Sequence, residues 1–337
     1  MTFINTMQKL IVEGIIPGVG SVISFVPSIA ILIFILAFLR ESGFIKGSAA
    51  YFIMGFSCSV PAILACNSIE NKRLKFLTAF LIPYMSCSAK LPIYMLIAST
   101  FFSAFPYAAI CAVYLIGIIM ALCAYTIGKS VAPITSNTKI YGERPYFKSN
   151  LHPRKNPKIF LRALAEEVLS YTFGFIKKAF TVVLLASIVI WLLQNLNINL
   201  EPVSQIQDSL LTKLGHWTSP IFSPLGFGDW RAASALITGL SAKEAVVSTL
   251  TIIAGNSNYP SMAFMLRQIF SPLSAFSFMV FCLLYMPCIS SLTAIKSLTK
   301  SNLLTLAFLL GHTAVAWISS FLIFNLLKVI IQYIGGV

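Results

Sequence analysis

The sequence predicts an all-α polytopic membrane protein, built as an inverted repeat of transmembrane helices with broken or re-entrant gate segments. Three observations predict it. The 337 residues are 58% hydrophobic and only 10% charged, and their mean hydropathy of +0.87 lies far above that of soluble domains. The basic residues behind the net charge of +14 cluster at the ends of apolar runs, as the positive-inside rule expects of cytoplasmic loops. Finally, Pro83–Pro92 and Leu284–Leu292 each set a cysteine, hydroxyls and at least one proline inside an apolar run, and both read Tyr-Met-x-Cys-x-x-x-Leu. A repeated polar motif at membrane depth is a candidate transport site.

Residues 1–20 form an amphipathic lead-in ending in the breakers Gly14, Pro17, Gly18 and Gly20. The first gate repeat is 21–127. Its opening span, 21–39, is closed by Arg40, Glu41 and Lys46. The next run, 47–66, has basic residues beyond both ends, so a full crossing would leave one basic loop outside. A broken segment removes the conflict, and Gly55, Ser57, Cys58 and Pro61 lie where the break is expected. Residues 76–102 cross outward with the first cysteine motif, Phe105-Pro106 turns the chain, and 107–127 return.

Residues 128–178 form a basic cytoplasmic loop, whose part from Lys158 to Lys178 has the spacing of a helix lying on the membrane. The second gate repeat, 179–337, crosses at 179–194 and continues through a polar outside loop, 195–230, with Glu201, Asp208, Lys213 and Asp229. Residues 231–253 carry Gly239, Ser241 and the adjacent charges Lys243 and Glu244. The second cysteine motif lies in 274–296, and 303–327 finish the chain. Gly55-Phe-Ser57 and Tyr84-Met85-x-Cys87 thus recur in the same order as Gly239-Leu-Ser241 and Tyr285-Met286-x-Cys288. Such repeats place their sites near the midplane, where the halves meet.

Composition also excludes several classes. The positive charge suits anionic lipid headgroups rather than nucleic acid. All seven cysteines sit in apolar segments without C-x-x-C spacing, so buried free thiols are expected instead of disulfides. Cys66, Cys111, Cys123 and Cys282 lack motif context and read as packing. His152, His216 and His312 show no zinc spacing. Gly128-Lys129-Ser130 imitates the end of a P-loop, but Cys123 stands where its first glycine belongs, so no GTPase or other enzyme is expected in this chain.

Residues 13–40, 55–71, 83–94, 224–250 and the string from Leu284 to Ile289 resemble the membrane domain of the ferrous iron transport protein B (FeoB) family. The resemblance implies a ferrous iron permease in the bacterial inner membrane, with Fe2+ as the transported ion and no permanently bound cofactor. It implies a separate FeoB-type GTPase subunit, places a family span ahead of residue 1 so that the chain reads as a fragment or split-gene partner, and leaves homo-oligomers open. Cys58, Cys87 and Cys288 become candidate transient Fe2+ ligands, since the ion accepts thiolate, carboxylate and carbonyl donors. Met85, Met286 and Glu244 join them as thioether and carboxylate candidates. Gly55, Ser57, Pro61, Ser86, Ser88, Gly239, Ser241, Lys243 and Pro287 fall in the gate motifs. Unwinding at Pro61 and Pro287 is expected to free carbonyls for the ion, and Lys90 or Lys243 to favour a nearby thiolate. Two other readings stay open: a gate-type carrier for an organic solute such as a nucleoside, dependent on Ser57, Ser241 and Glu244, and a non-transporting scaffold or degenerate paralogue.

Overall fold

The structure, a computed structural model, describes residues 49–69, 71–131, 181–182, 184–199, 201–203, 205–256, 261–285 and 288–334. The lead-in, the span 21–39, most of the basic loop, Met286 and Pro287 lie outside the described residues.

The first helical run is broken by a single residue. Helix α1 (Ala49–Ser57) stops and α2 (Ser59–Ala65) starts around Cys58, whose backbone is extended at φ −151°, ψ 126°. Unwinding was expected at Pro61, yet Pro61 sits within the first turn of α2. The reason is local: a first-turn N–H has no helical partner, so proline costs little there, whereas its missing N–H leaves the Ser57 carbonyl four residues back without a helical donor. The next run is broken over a longer stretch. Helix α3 (Lys72–Leu81), capped by the Asn71 side chain on the N–H groups of Arg73 and Leu74, passes into a 3₁₀ turn at Ile82–Tyr84. Extended residues around Met85 and Cys87 follow, then a second 3₁₀ turn at Ser88–Lys90 and α4 (Leu91–Phe101). The prolines at 83 and 92 occupy initial turn positions, where their fixed φ is an asset. After the bend at Phe102–Phe105, α5 (Pro106–Val131) runs unbroken.

In the second half, α6 (184–195) precedes a segment expected to be an open polar loop. That expectation is corrected: residues 195–230 contain α7 (Leu210–Phe222), capped by Ser209, and they bury Ile206, Leu211, Leu225 and Phe227. The face that α7 buries is made of Leu211, Thr212 and Gly215, small and polar enough that no apolar stripe marks it in the sequence. Helix α8 (Trp230–Thr238) is capped by Asp229, which accepts from the Arg231 N–H at 2.8 Å and also pairs with its guanidinium. Asp229→Ala should therefore lower thermal stability in detergent by about 1 kcal/mol, the usual worth of such a cap; an unchanged melting temperature would show the cap to be redundant. The turn 239–244 separates α8 from α9 (Ala245–Asn256). Helices α10 (Met262–Ile269) and α11 (Pro272–Leu284) follow, the latter opened by a reciprocal cap between Ser271 and Ser274. A second cysteine-motif break leads to α12 (Ile289–Thr299), which ends at left-handed Lys300, and α13 (Asn302–Ile334) completes the described chain.

Among the described residues, then, two interrupted runs and a continuous helix (α1–α2, α3–α4, α5) recur as α8–α9, α11–α12 and α13. Among the described residues, four stretches are long and apolar enough to cross a bilayer: Lys72–Phe101, Pro106–Gly128, Pro272–Thr299 and Asn302–Tyr333. This is a multi-pass membrane protein. The interrupted spans are enclosed, with 56% and 69% of their apolar windows buried against 17% for each continuous one. Polar breaks thus lie inside, while α5 and α13 turn Leu115, Ile119 and Leu122, and Leu322, Leu326 and Val329, outward as lipid requires. The main core gathers Phe278 and Phe281 of α11 with Ile93 and Ile97 of α4 and Leu236 of α8. A second core joins Val60 and Ile63 of α2 to Ile295 and Leu298 of α12, so each half helps to enclose the other.

Candidate functional site

The interruptions meet one another. A helix stopped inside a membrane leaves carbonyls that water cannot reach, and each must find a donor in the protein. The Ser57 carbonyl, without a helical donor because residue 61 is proline, accepts from the Ser88 hydroxyl at 3.2 Å. The Leu283 carbonyl would take the N–H of residue 287, which is also a proline; instead it accepts from the Lys90 ammonium at 2.6 Å. Lys90 reaches the Pro83 carbonyl as well, at 3.3 Å. In the second half the Ile289 N–H donates to the Leu240 carbonyl at 2.9 Å, and the Tyr285 hydroxyl to the Leu236 carbonyl at 3.3 Å. Loop 82–90 is the hub, touching break 57–58 through Ser88 and the end of α11 through Lys90.

The expectation that Pro61 and Pro287 liberate carbonyls for an ion is therefore corrected. Both freed carbonyls are already engaged, and an ammonium on the Leu283 oxygen opposes a cation there. Thiols and the carboxylate remain as open donors. Cys58 caps α2, Cys87 lies in the extended segment before the second 3₁₀ turn, and Cys288 caps α12 with its sulfur 3.3 Å from the Ser291 hydroxyl. All three are half-buried free thiols. Cys58 lies within electrostatic range of Cys288, Cys87 and Glu244, so both halves contribute to one neighbourhood. Among the described residues, no three His, Cys, Asp or Glu side chains stand close enough together to hold a metal ion.

Other gate residues serve the surroundings. Met85 is buried and packs on Gly55, where an added Cβ would stand 3.3 Å from its side chain. Ser86 donates to the Tyr94 hydroxyl at 3.3 Å, and Ser241 to the Thr238 carbonyl at 2.7 Å. Lys243 and Glu244 belong to a turn rather than a helix, and they do not pair: the Lys243 ammonium lies 3.1 Å from the centre of the Tyr285 ring. Of the four cysteines expected to be packing residues, Cys66 is buried and donates to the Ala62 carbonyl, whereas Cys111 and Cys123 are exposed on α5. Their small apolar side chains suit a lipid-facing surface as well as a core. Cys282 is buried within range of both lysines, a place that sequence reasoning missed. The available signal was its spacing of three from Tyr285, which puts both on one face of α11. His312 is wholly enclosed, its ring 4.5 Å from Phe80 and 4.7 Å from Tyr84.

Residues 176–302 match the family model described as "Gate: Nucleoside recognition". An Fe(2+) transporter FeoB of Staphylococcus aureus strain MSSA476 is 33% identical over 342 residues, covering 95% of this chain and 49% of the relative. The Fe(2+) transporter FeoB of Methanocaldococcus jannaschii is 34% identical over 314 residues, covering 86% of the chain and 45% of the relative. A fusion of Fe(2+) transport protein A with Fe(2+) transporter FeoB from Porphyromonas gingivalis is 30% identical, covering 96% and 44%. The chain thus spans about half the length of the curated relatives it matches. No solved structure matches it. The likeness runs through both halves of the repeat and all the interrupted helices, and the chain belongs to the FeoB family, as a membrane domain of it.

Proposed function

We propose that this chain is the ferrous iron permease of a bacterial inner-membrane uptake system. Fe2+ passes as cargo between the two repeats, loop 128–178 faces the cytoplasm, and a FeoB-type GTPase on another polypeptide or segment gates the movement. One observation carries the reading: in a chain related to Fe(2+) transporters, the interrupted helices bring Cys58, Cys87, Cys288 and Glu244 into a single neighbourhood from opposite halves. Soft thiolates and a carboxylate suit a mid-series divalent ion, and an unclosed set suits release. The test is uptake of radioactive ferrous iron under reducing conditions by cells lacking other iron importers, with and without a co-expressed FeoB-type GTPase domain. Uptake should require the GTPase and fall about tenfold or more in Cys87→Ser and Cys288→Ser, because a neutral hydroxyl replaces a charged soft ligand. Full uptake by both variants would remove the thiols from the mechanism.

The description of the matched family model favours a second reading, a carrier of nucleoside-like solutes. It expects the cysteine variants to behave as wild type and labelled nucleoside to accumulate; absence of nucleoside uptake by a membrane-inserted chain would end it.

A further inference from the structure

Two buried ammonium groups, of Lys90 and Lys243, stand beside the interrupted helices. That of Lys90 is answered by the carbonyls of Leu283 and Pro83. That of Lys243 is not: the residue is 3% exposed, and its Nζ has no hydrogen-bond partner. What it has is the face of Tyr285, 3.1 Å from nitrogen to ring centre. A buried ammonium without an acceptor is costly, and a ring face compensates for only part of what water supplied. The groups close enough to act on its charge are Lys90, Cys282, Cys288 and Cys87. The ring is itself held in place, since the Tyr285 hydroxyl donates to Leu236 and Gly239 leaves room for it. A fixed aromatic face beside Cys282 and Cys288 is one that a cation can occupy, and Lys243 fills it from its own chain.

We propose that Lys243 is the resident cation of the gate: its ammonium occupies the Tyr285 face when no ion is present, and a divalent ion arriving at Cys87 and Cys288 must displace it. This rests on the iron reading above. It explains how a site with soft ligands stays weak enough to release its cargo, because the tethered positive charge competes with every ion that enters. It also makes Lys243 a determinant of selectivity, favouring ions that gain enough from thiolates to overcome the competition.

The purified chain, in anaerobic reducing micelles, is titrated with radioactive ferrous iron by equilibrium dialysis. Lys243→Met keeps the apolar stem and removes the charge, so it should bind Fe2+ about tenfold or more tightly than wild type, while Lys243→Arg stays near wild type. In Lys243→Ala the vacated ring should accept n-butylammonium, which then weakens Fe2+ binding in the variant and leaves wild type unaffected. Unaltered Fe2+ affinity in Lys243→Met overturns the proposal and leaves the iron site standing. Should that variant not fold, n-butylammonium acting equally on Lys243→Ala and wild type overturns it instead. No Fe2+ bound by wild type overturns both this proposal and the iron site.

Discussion

Lys90→Met will lower the stability of the folded membrane domain by about 2 kcal/mol, read as a shift in thermal or denaturant unfolding in detergent. The side chain is 4% exposed and bridges 193 positions of sequence to the Leu283 carbonyl. Methionine fills similar volume but donates nothing. The Leu283 oxygen, which no N–H of residue 287 can satisfy, is then left buried and unpaired. A hydrogen bond from a charged donor contributes about 1.5–3 kcal/mol, and an unsatisfied acceptor costs about 1–3 kcal/mol. Relief from burying an ammonium offsets part of this, which sets the expectation below the sum. Lys90→Gln retains a donor on a shorter stem and should fall between. Equal stability of the Lys90→Met variant and wild type would show that the Lys90 contact is not what joins the halves.

Gly239→Val will be more damaging still, costing about 3 kcal/mol and abolishing transport. The conformation at Gly239, φ −62°, is open to any residue, so the constraint is space. A Cβ there would stand 2.5 Å from the Val246 side chain, 3.3 Å from the Ala235 carbonyl, and in collision with the Tyr285 hydroxyl. Relief requires moving Tyr285, which breaks its bond to Leu236 and withdraws the ring from Lys243. Gly55 is the matching residue of the first half, yet its nearest neighbours are the flexible side chain of Met85 and Ile82, at 3.3–3.4 Å. Gly55→Ala should cost less than about 1 kcal/mol and preserve uptake. The comparison of Gly55→Ala with Gly239→Ala, by unfolding and by iron uptake, decides the point: equal losses would mean that the pocket around Tyr285 yields as easily as the one around Met85.

The asymmetry between these glycines shows where reading the sequence stops. Both were visible as gate residues from the repeated Gly-x-Ser pattern, but only the packing shows that one faces a methionine and the other a tyrosine. Likewise, Lys243 and Glu244 were legible as charges at membrane depth, whereas a neighbouring pair in sequence says nothing of a ring on a distant helix end against which one of them settles. Cys282 carries no motif and reads as packing, which its place in the core agrees with, but its nearness to Lys90 and Lys243 comes only from the fold. Helix α7 was hidden because charged residues in 195–230 weigh against burial when averaged, and because the face it buries sets Thr212 and Gly215 beside Leu211 rather than an apolar stripe.

What the sequence alone determined is the membrane class and the existence of the interruptions. Both follow from local properties: apolar composition over lengths that match a bilayer, and prolines that carry no N–H for the carbonyl four residues earlier. Tertiary structure alone decided what those carbonyls do. They were expected to be free for an ion, but a hydroxyl and an ammonium from loop 82–90 take them, because inside a membrane an unpaired carbonyl draws the nearest donor. Which donor is nearest depends on how the two halves pack, and no local rule of sequence contains that distance.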